Sequence, residues 1–141
     1  MRTKASDQIE IRIPRRAEFV RVARSAALAV ASQMDFTYDI IKDIELVTGE
    51  ACANAVEHVA DESCQDVLVR FSLCDESLTI EVIDRGQGFD AECVRRLEAG
   101  GDWDDPRGFG LLVIRQLMDE VTIECDPVTG TCVRMVKRKS G

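Results

Sequence analysis

Two long helical periodicities follow one another between segments that alternate in twos, and this order limits the fold more than any other feature. Ile9, Ile11 and Ile13 alternate with Glu10 and Arg12, and Pro14 closes the run, which predicts a strand. From about Arg16 to Met34 the spacing turns helical through Phe19, Val20, Ala23, Ala26, Ala27 and Val30. A second helix is predicted from about Tyr38 to Val59, carried by Ile40, Ile41, Ile44, Val47, Ala51 and Ala55. After a polar break at residues 60–64, Val67, Val69 and Phe71 alternate, and Leu78, Ile80 and Val82 return across an Asp75-Glu76 turn as a hairpin. A short helix over Ala91–Leu97, a helix from Leu111 to Met118 opening at Gly108-Phe109-Gly110, and two strands around Asp126–Gly130 complete the pattern. Helices and strands thus come in runs. The expected class is α+β, a two-layer sandwich with helices on one face of a mostly antiparallel mixed sheet.

Three features could carry chemistry. Glu50, Asn54 and His58 recur at i, i+4 on the second helix. At about 100° per residue, Glu50 and Asn54 lie roughly 40° apart, at the edge of the apolar stripe, where a helix lines a pocket. A carboxylate there can take a proton, and an amide oxygen can ligate Mg²⁺, which prefers hard oxygen donors. Taken alone, the pair also suits a solvated helix flank, and His58 suits a packed, hydrogen-bonded core position. Asp84-Arg85-Gly86-Gln87-Gly88 follows a strand. A strand-end Asp can accept from an exocyclic amine such as adenine's, and glycines let a ligand approach the backbone; a tight turn would use the same residues. Gly108-Phe109-Gly110 opens a helix, whose first amides and positive dipole end attract anions. Each feature is weak alone; the three in this order are specific.

Together they resemble the GHKL ATPase family, the ATPase fold of histidine kinases and gyrase. Residues 50–58, EACANAVEH, are similar to its N box, DRGQGFD at 84–90 to its first glycine box, and GFGLLVIRQLMDEV at 108–121 to its second. GEACANAVEH, LMDEV and the closing GTCVRMVK resemble the bacterial anti-sigma factor serine/threonine kinases within it. The likeness covers about residues 9–138, so one domain over 1–141 is expected.

The resemblance implies an ATP-binding anti-sigma regulatory factor. It would phosphorylate Ser or Thr of a STAS-type anti-sigma factor antagonist and sequester a sigma factor. Glu50 would be the general base, Asn54 the Mg²⁺ ligand and Asp84 the acceptor of the adenine amine. Gly86 and Gly88 would shape the nucleotide pocket. Gly108 and Gly110, with the amides of Phe109 and Leu111, would hold phosphates, Arg107 being the one cation of the preceding loop. Arg21 and Arg24 on the first helix would meet the protein partners, and the family's homodimers imply a second copy. Two departures stand out: Gly100–Arg107 carries Asp102, Asp104 and Asp105 where relatives place Ser, Thr or basic residues, and Ala53 stands where a small hydroxyl residue is frequent. The alternative is therefore a catalytically weak or inactive nucleotide-regulated switch.

Charge sharpens the picture. The net charge is −8. Residues 1–24 hold seven bases against three acids, whereas residues 25–133 hold seven bases against 23 acids. An acidic body argues against a general nucleic-acid binder. A basic entry segment suits a protein partner and equally a plain solvated surface. The six cysteines form no CxxC pair and have one histidine beside them, which argues against zinc. They read as small buried hydrophobes in a reducing cytoplasm. Neither a signal peptide nor an apolar run of about 18 residues is visible, so no membrane span is expected.

Overall fold

The structure, a computed structural model, describes residues 7–57, 66–84, 106–126 and 130–139. Strand β1 runs Asp7–Ile13, β2 Val67–Leu73, β3 Ser77–Asp84, β4 Glu120–Asp126 and β5 Gly130–Arg138. Helix α1 is Val20–Ser32, α2 Tyr38–Glu57 and α3 Pro106–Leu117. The strands form one sheet in the order β1-β2-β3-β5-β4, and all four pairings are antiparallel. The expected two-layer α+β class holds, with no parallel pair among the described strands. The short helix expected over Ala91–Leu97 lies outside the described residues.

Side-chain alternation decides which face of the sheet is covered. In β3, Leu78, Ile80, Val82 and Asp84 are buried while the residues between them are half-buried. Register places Val69 and Phe71 of β2 beside Val82 and Ile80, and Met135 of β5 on the other side of Ile80. This face meets the helices: Ala23, Ala27 and Val30 of α1, Ile44, Val47 and Ala51 of α2, and Leu111 and Ile114 of α3 are all buried. The alanines at four-residue spacing let α1 lie close against α2. Phe71, Ile44, Leu78 and Ile80 are fully enclosed; truncating any of them to alanine costs roughly 2–5 kcal/mol. On the opposite face Arg70 pairs with Glu10 at 2.6 Å and with Glu81 at 3.3 Å, a cross-strand charge ladder.

Three boundaries differ from expectation. The first helical segment opens with a 3₁₀ turn, Ala17–Phe19, and becomes α-helical at Val20. No polar side chain caps it; Arg16 lies over the Phe19 ring instead, 4.9 Å from its centroid. Helix α3 starts at Pro106 and not at Gly108–Leu111. Proline's fixed φ and missing N–H favour the first helical position, so it draws the start forward. At the other end of the chain, Gly130 opens β5 with φ 99°, a left-handed conformation that glycine adopts without a Cβ clash.

Candidate functional site

The last turns of α2 and the ends of β3 and β5 hold the polar groups that the core encloses. Glu50 is half-buried. Asn54, one turn on, is 5% exposed, and its buried Nδ2 has no hydrogen-bond partner. A buried amide without a partner loses a hydrogen bond's worth of free energy, so it marks a place that a ligand can complete. Thr48, one turn before Cys52, is spent inside the helix: its hydroxyl donates to the Ile44 carbonyl at 2.8 Å.

Asp84 ends β3 and is 3% exposed. Register sets it between Val67 of β2 and Thr131 of β5, and Thr131 is also buried. Its carboxylate is ion-paired with the Arg15 guanidinium, which arrives from the bend after β1. Both side chains are only 4% exposed. Local sequence could not show these neighbours. Arg15 reads there as one of several bases in a charged segment, and Thr131 as a strand residue far along the chain; the sheet's register brings them to Asp84. The parity of Ile13 and Arg15, both aimed at the core side past the end of β1, was the available signal.

Arg21 and Arg24 lie apart from this cluster. Both are exposed on α1, and they line an open pocket of about 380 Å³ with Glu18, Ala53 and Val56. Ala53 immediately precedes Asn54, so the same turn of α2 faces the pocket on one side and carries the buried amide on the other. Arg24's aliphatic stem lies on Gly49: a Cβ there would come within 2.7 Å of Arg24 Cδ. Gly49 is thus a third residue, after Arg15 and Thr131, whose role local sequence does not show.

The structure places Arg107, Gly108, Phe109 and Gly110 in the first turns of α3, with Leu111 buried in the core. Gly86, Gly88, His58 and the Asp102, Asp104 and Asp105 segment lie outside the described residues. The cysteines divide. Cys52 is buried, which pushes its thiol up to about 12. Cys132 is half-buried and pushed up to about 11 by desolvation first and by Glu81 and Glu124 second. Cys74 is exposed, against the expectation of burial, because it sits where β2 leaves the sheet for the hairpin turn. Burial disfavours the thiolate, so Cys52 and Cys132 are poor nucleophiles. No described helix is long and apolar enough to cross a membrane.

The residues present fit a Mg²⁺-nucleotide. Asn54 carries an amide oxygen, a hard donor of the kind Mg²⁺ takes, beside a buried Nδ2 that could donate to a phosphate oxygen, and Asp84 offers a buried carboxylate where β3 ends. The family model described as the histidine kinase-like ATPase domain matches residues 13–137. A serine-protein kinase RsbW from Bacillus licheniformis is 36% identical over 95% of this chain and 87% of its own length. Another, from Bacillus cereus, is 35% identical over 93% of this chain and 84% of its own. Among solved structures, the RsbU and RsbW domains of a Mycobacterium tuberculosis protein superpose with a TM-score of 0.71 at 22% identity, over 94% of this chain and 32% of that longer one. A SiaB-SiaC complex from Pseudomonas aeruginosa gives 0.65 at 12% identity, covering 92% of this chain and 89% of that one. These two likenesses concern the fold.

Proposed function

Because this chain belongs to the histidine kinase-like ATPase domain family, with RsbW serine-protein kinases as relatives along nearly all its length, we propose that it is an ATP-dependent protein serine/threonine kinase. Its substrate would be a STAS-type anti-sigma factor antagonist, and its second partner a sigma factor that it holds inactive in the cytoplasm. The observation that carries the reading is the pair of buried polar groups, Asn54 and Asp84, set at the edge of a largely apolar core.

In this proposal each residue has one task. Asp84 accepts a hydrogen bond from the adenine amine, and Gly86 and Gly88 shape the pocket around the base. Asn54 turns its amide oxygen to Mg²⁺, which when bound neutralises triphosphate charge. The first turn of α3, Arg107 to Phe109, presents backbone donors to the phosphates. Gly110 and Leu111 follow it, and Leu111 holds the turn to the core by its buried side chain. Glu50, half-buried one turn before Asn54, takes the proton from the acceptor hydroxyl. Transfer of a phosphoryl group needs positioning and charge neutralisation more than covalent chemistry, so a small set of such groups suffices. Arg21 and Arg24 meet the protein partners, and a second copy of the chain completes a homodimer.

The test is transfer of label from Mg-[γ-³²P]ATP to Ser or Thr of the cognate antagonist. Wild-type protein labels it. Glu50→Ala abolishes the label and keeps nucleotide binding. Normal labelling by that variant removes Glu50 from its role, and nucleotide binding without any transfer by wild type selects the non-catalytic switch.

A further inference from the structure

The Arg15–Asp84 pair carries one step more. Resting on the reading of Asp84 as the base-recognising carboxylate, we propose that Arg15 sets the affinity of the nucleotide site by competing with the purine base for Asp84.

The two side chains are ion-paired and each 4% exposed, so the guanidinium lies inside the site and not across its mouth. A guanidinium has donors only, and the exocyclic amine of adenine also approaches as a donor. Both therefore draw on the same buried carboxylate, and a guanidinium seated on it takes up acceptor sites that the amine would use. Asp84 cannot lose Arg15 without a replacement, because a buried carboxylate deprived of its partner is strongly unfavourable. The incoming amine is neutral and replaces only the hydrogen bond, not the charge. Arg15 therefore holds its place against the base until the base contributes more elsewhere.

The backbone is arranged to let Arg15 leave. The β1–β2 ladder ends with Ile13 opposite Val67, so Arg15 sits beyond the last pair. It occupies a bend tied by the Arg16 amide to the Pro14 carbonyl at 2.8 Å. Swinging the side chain outward breaks no strand pairing. Its neighbour Arg16 shows the alternative fate of such a residue, outside the core on the Phe19 ring.

The experiment is isothermal titration of ATP, ADP and adenosine, with Mg²⁺, into wild type, Arg15→Met, Arg15→Gln, Asp84→Asn and the Arg15→Met/Asp84→Asn double variant. Arg15→Met binds all three ligands tighter by a common factor of about five or more, since the competitor acts at the base that they share. Arg15→Gln, a weaker neutral donor, gains less and decides the matter if the methionine variant does not fold. The gain vanishes in the Asp84→Asn background. Equal or weaker binding by the Arg15 variants, or a gain for ATP without one for adenosine, overturns the competition and leaves the nucleotide site standing. Undiminished binding by Asp84→Asn overturns the assignment of Asp84 itself. Absence of binding by every variant overturns both.

Discussion

Arginines from one basic entry segment end in two opposite settings. Arg15 is carried inside to a carboxylate at the end of β3, whereas Arg21 and Arg24 stay exposed beside a pocket floored by Ala53 and Val56. The difference teaches what each region can recognise. Inside, Asp84 and Asn54 are almost wholly shielded from solvent, where a polar group needs a specific partner, so in the proposed reading they select by hydrogen-bond geometry. Outside, the charges are screened over about 8–10 Å and attract a partner without fixing its geometry closely. One turn of α2 joins the two regions, with Ala53 toward the pocket and Asn54 buried. A partner seated on the groove would therefore rest one residue from the proposed metal ligand, and Glu50 lies a turn before it.

The largest effect should fall on that shared helix. Glu50→Ala lowers the rate of phosphoryl transfer by about 10²–10⁴-fold, while the Kd for Mg-ATP moves little; rapid-quench labelling beside titration calorimetry separates the two. Next comes the buried end. Asp84→Asn removes a charge-assisted hydrogen bond of about 1.5–3 kcal/mol and weakens ATP by about tenfold to hundredfold, without changing capture of a protein partner.

Third, Arg21→Ala with Arg24→Ala weakens the partner complex by up to about tenfold, the scale of two exposed charges. That loss shrinks as salt rises, and ATP affinity stays constant. Equal losses for ATP and partner in either set of variants would erase the distinction between the regions. Fourth, Gly49→Ala forces Arg24's stem aside. Alanine's helix propensity gains about 1 kcal/mol over glycine and offsets the shift. Thermal stability should thus change by a few degrees at most, with a small loss of partner affinity.

The smallest effect concerns the thiols. With Cys52 pushed up to about 12 and Cys132 to about 11, peptide-resolved alkylation at pH 8 modifies Cys74 before either. Above the ordinary thiol value of 9.0 the unfolded chain releases the Cys52 proton while the folded chain keeps it to about 12. Stability therefore declines as pH rises between those values and is unaffected by these groups at neutral pH.

How much of this could be read from residues alone follows from the reach of each signal. Alternation in β1 and in the β2–β3 hairpin, and the four-residue spacing of α2, are local and repeat over several turns, so these elements were legible. Helix starts depend on one or two residues. Pro106 drew α3 forward past the expected glycines, and Arg16 stacked on Phe19 in place of a polar cap. Asp84 and Asn54 stood out as chemical types in motifs. Their surroundings did not, because Arg15 and Thr131 reach Asp84 through sheet register across distant parts of the chain. Gly49 under Arg24 is likewise a contact between helices, invisible to either helix's own pattern.

The most direct test of the division between the two regions is a crystal structure of the protein with Mg²⁺ and a non-hydrolysable ATP analogue. The adenine amine is expected within hydrogen-bonding distance of Asp84 and the metal on Asn54, with the Arg21–Arg24 pocket free of nucleotide. A nucleotide seated between Arg21 and Arg24, with Asp84 untouched, would contradict it.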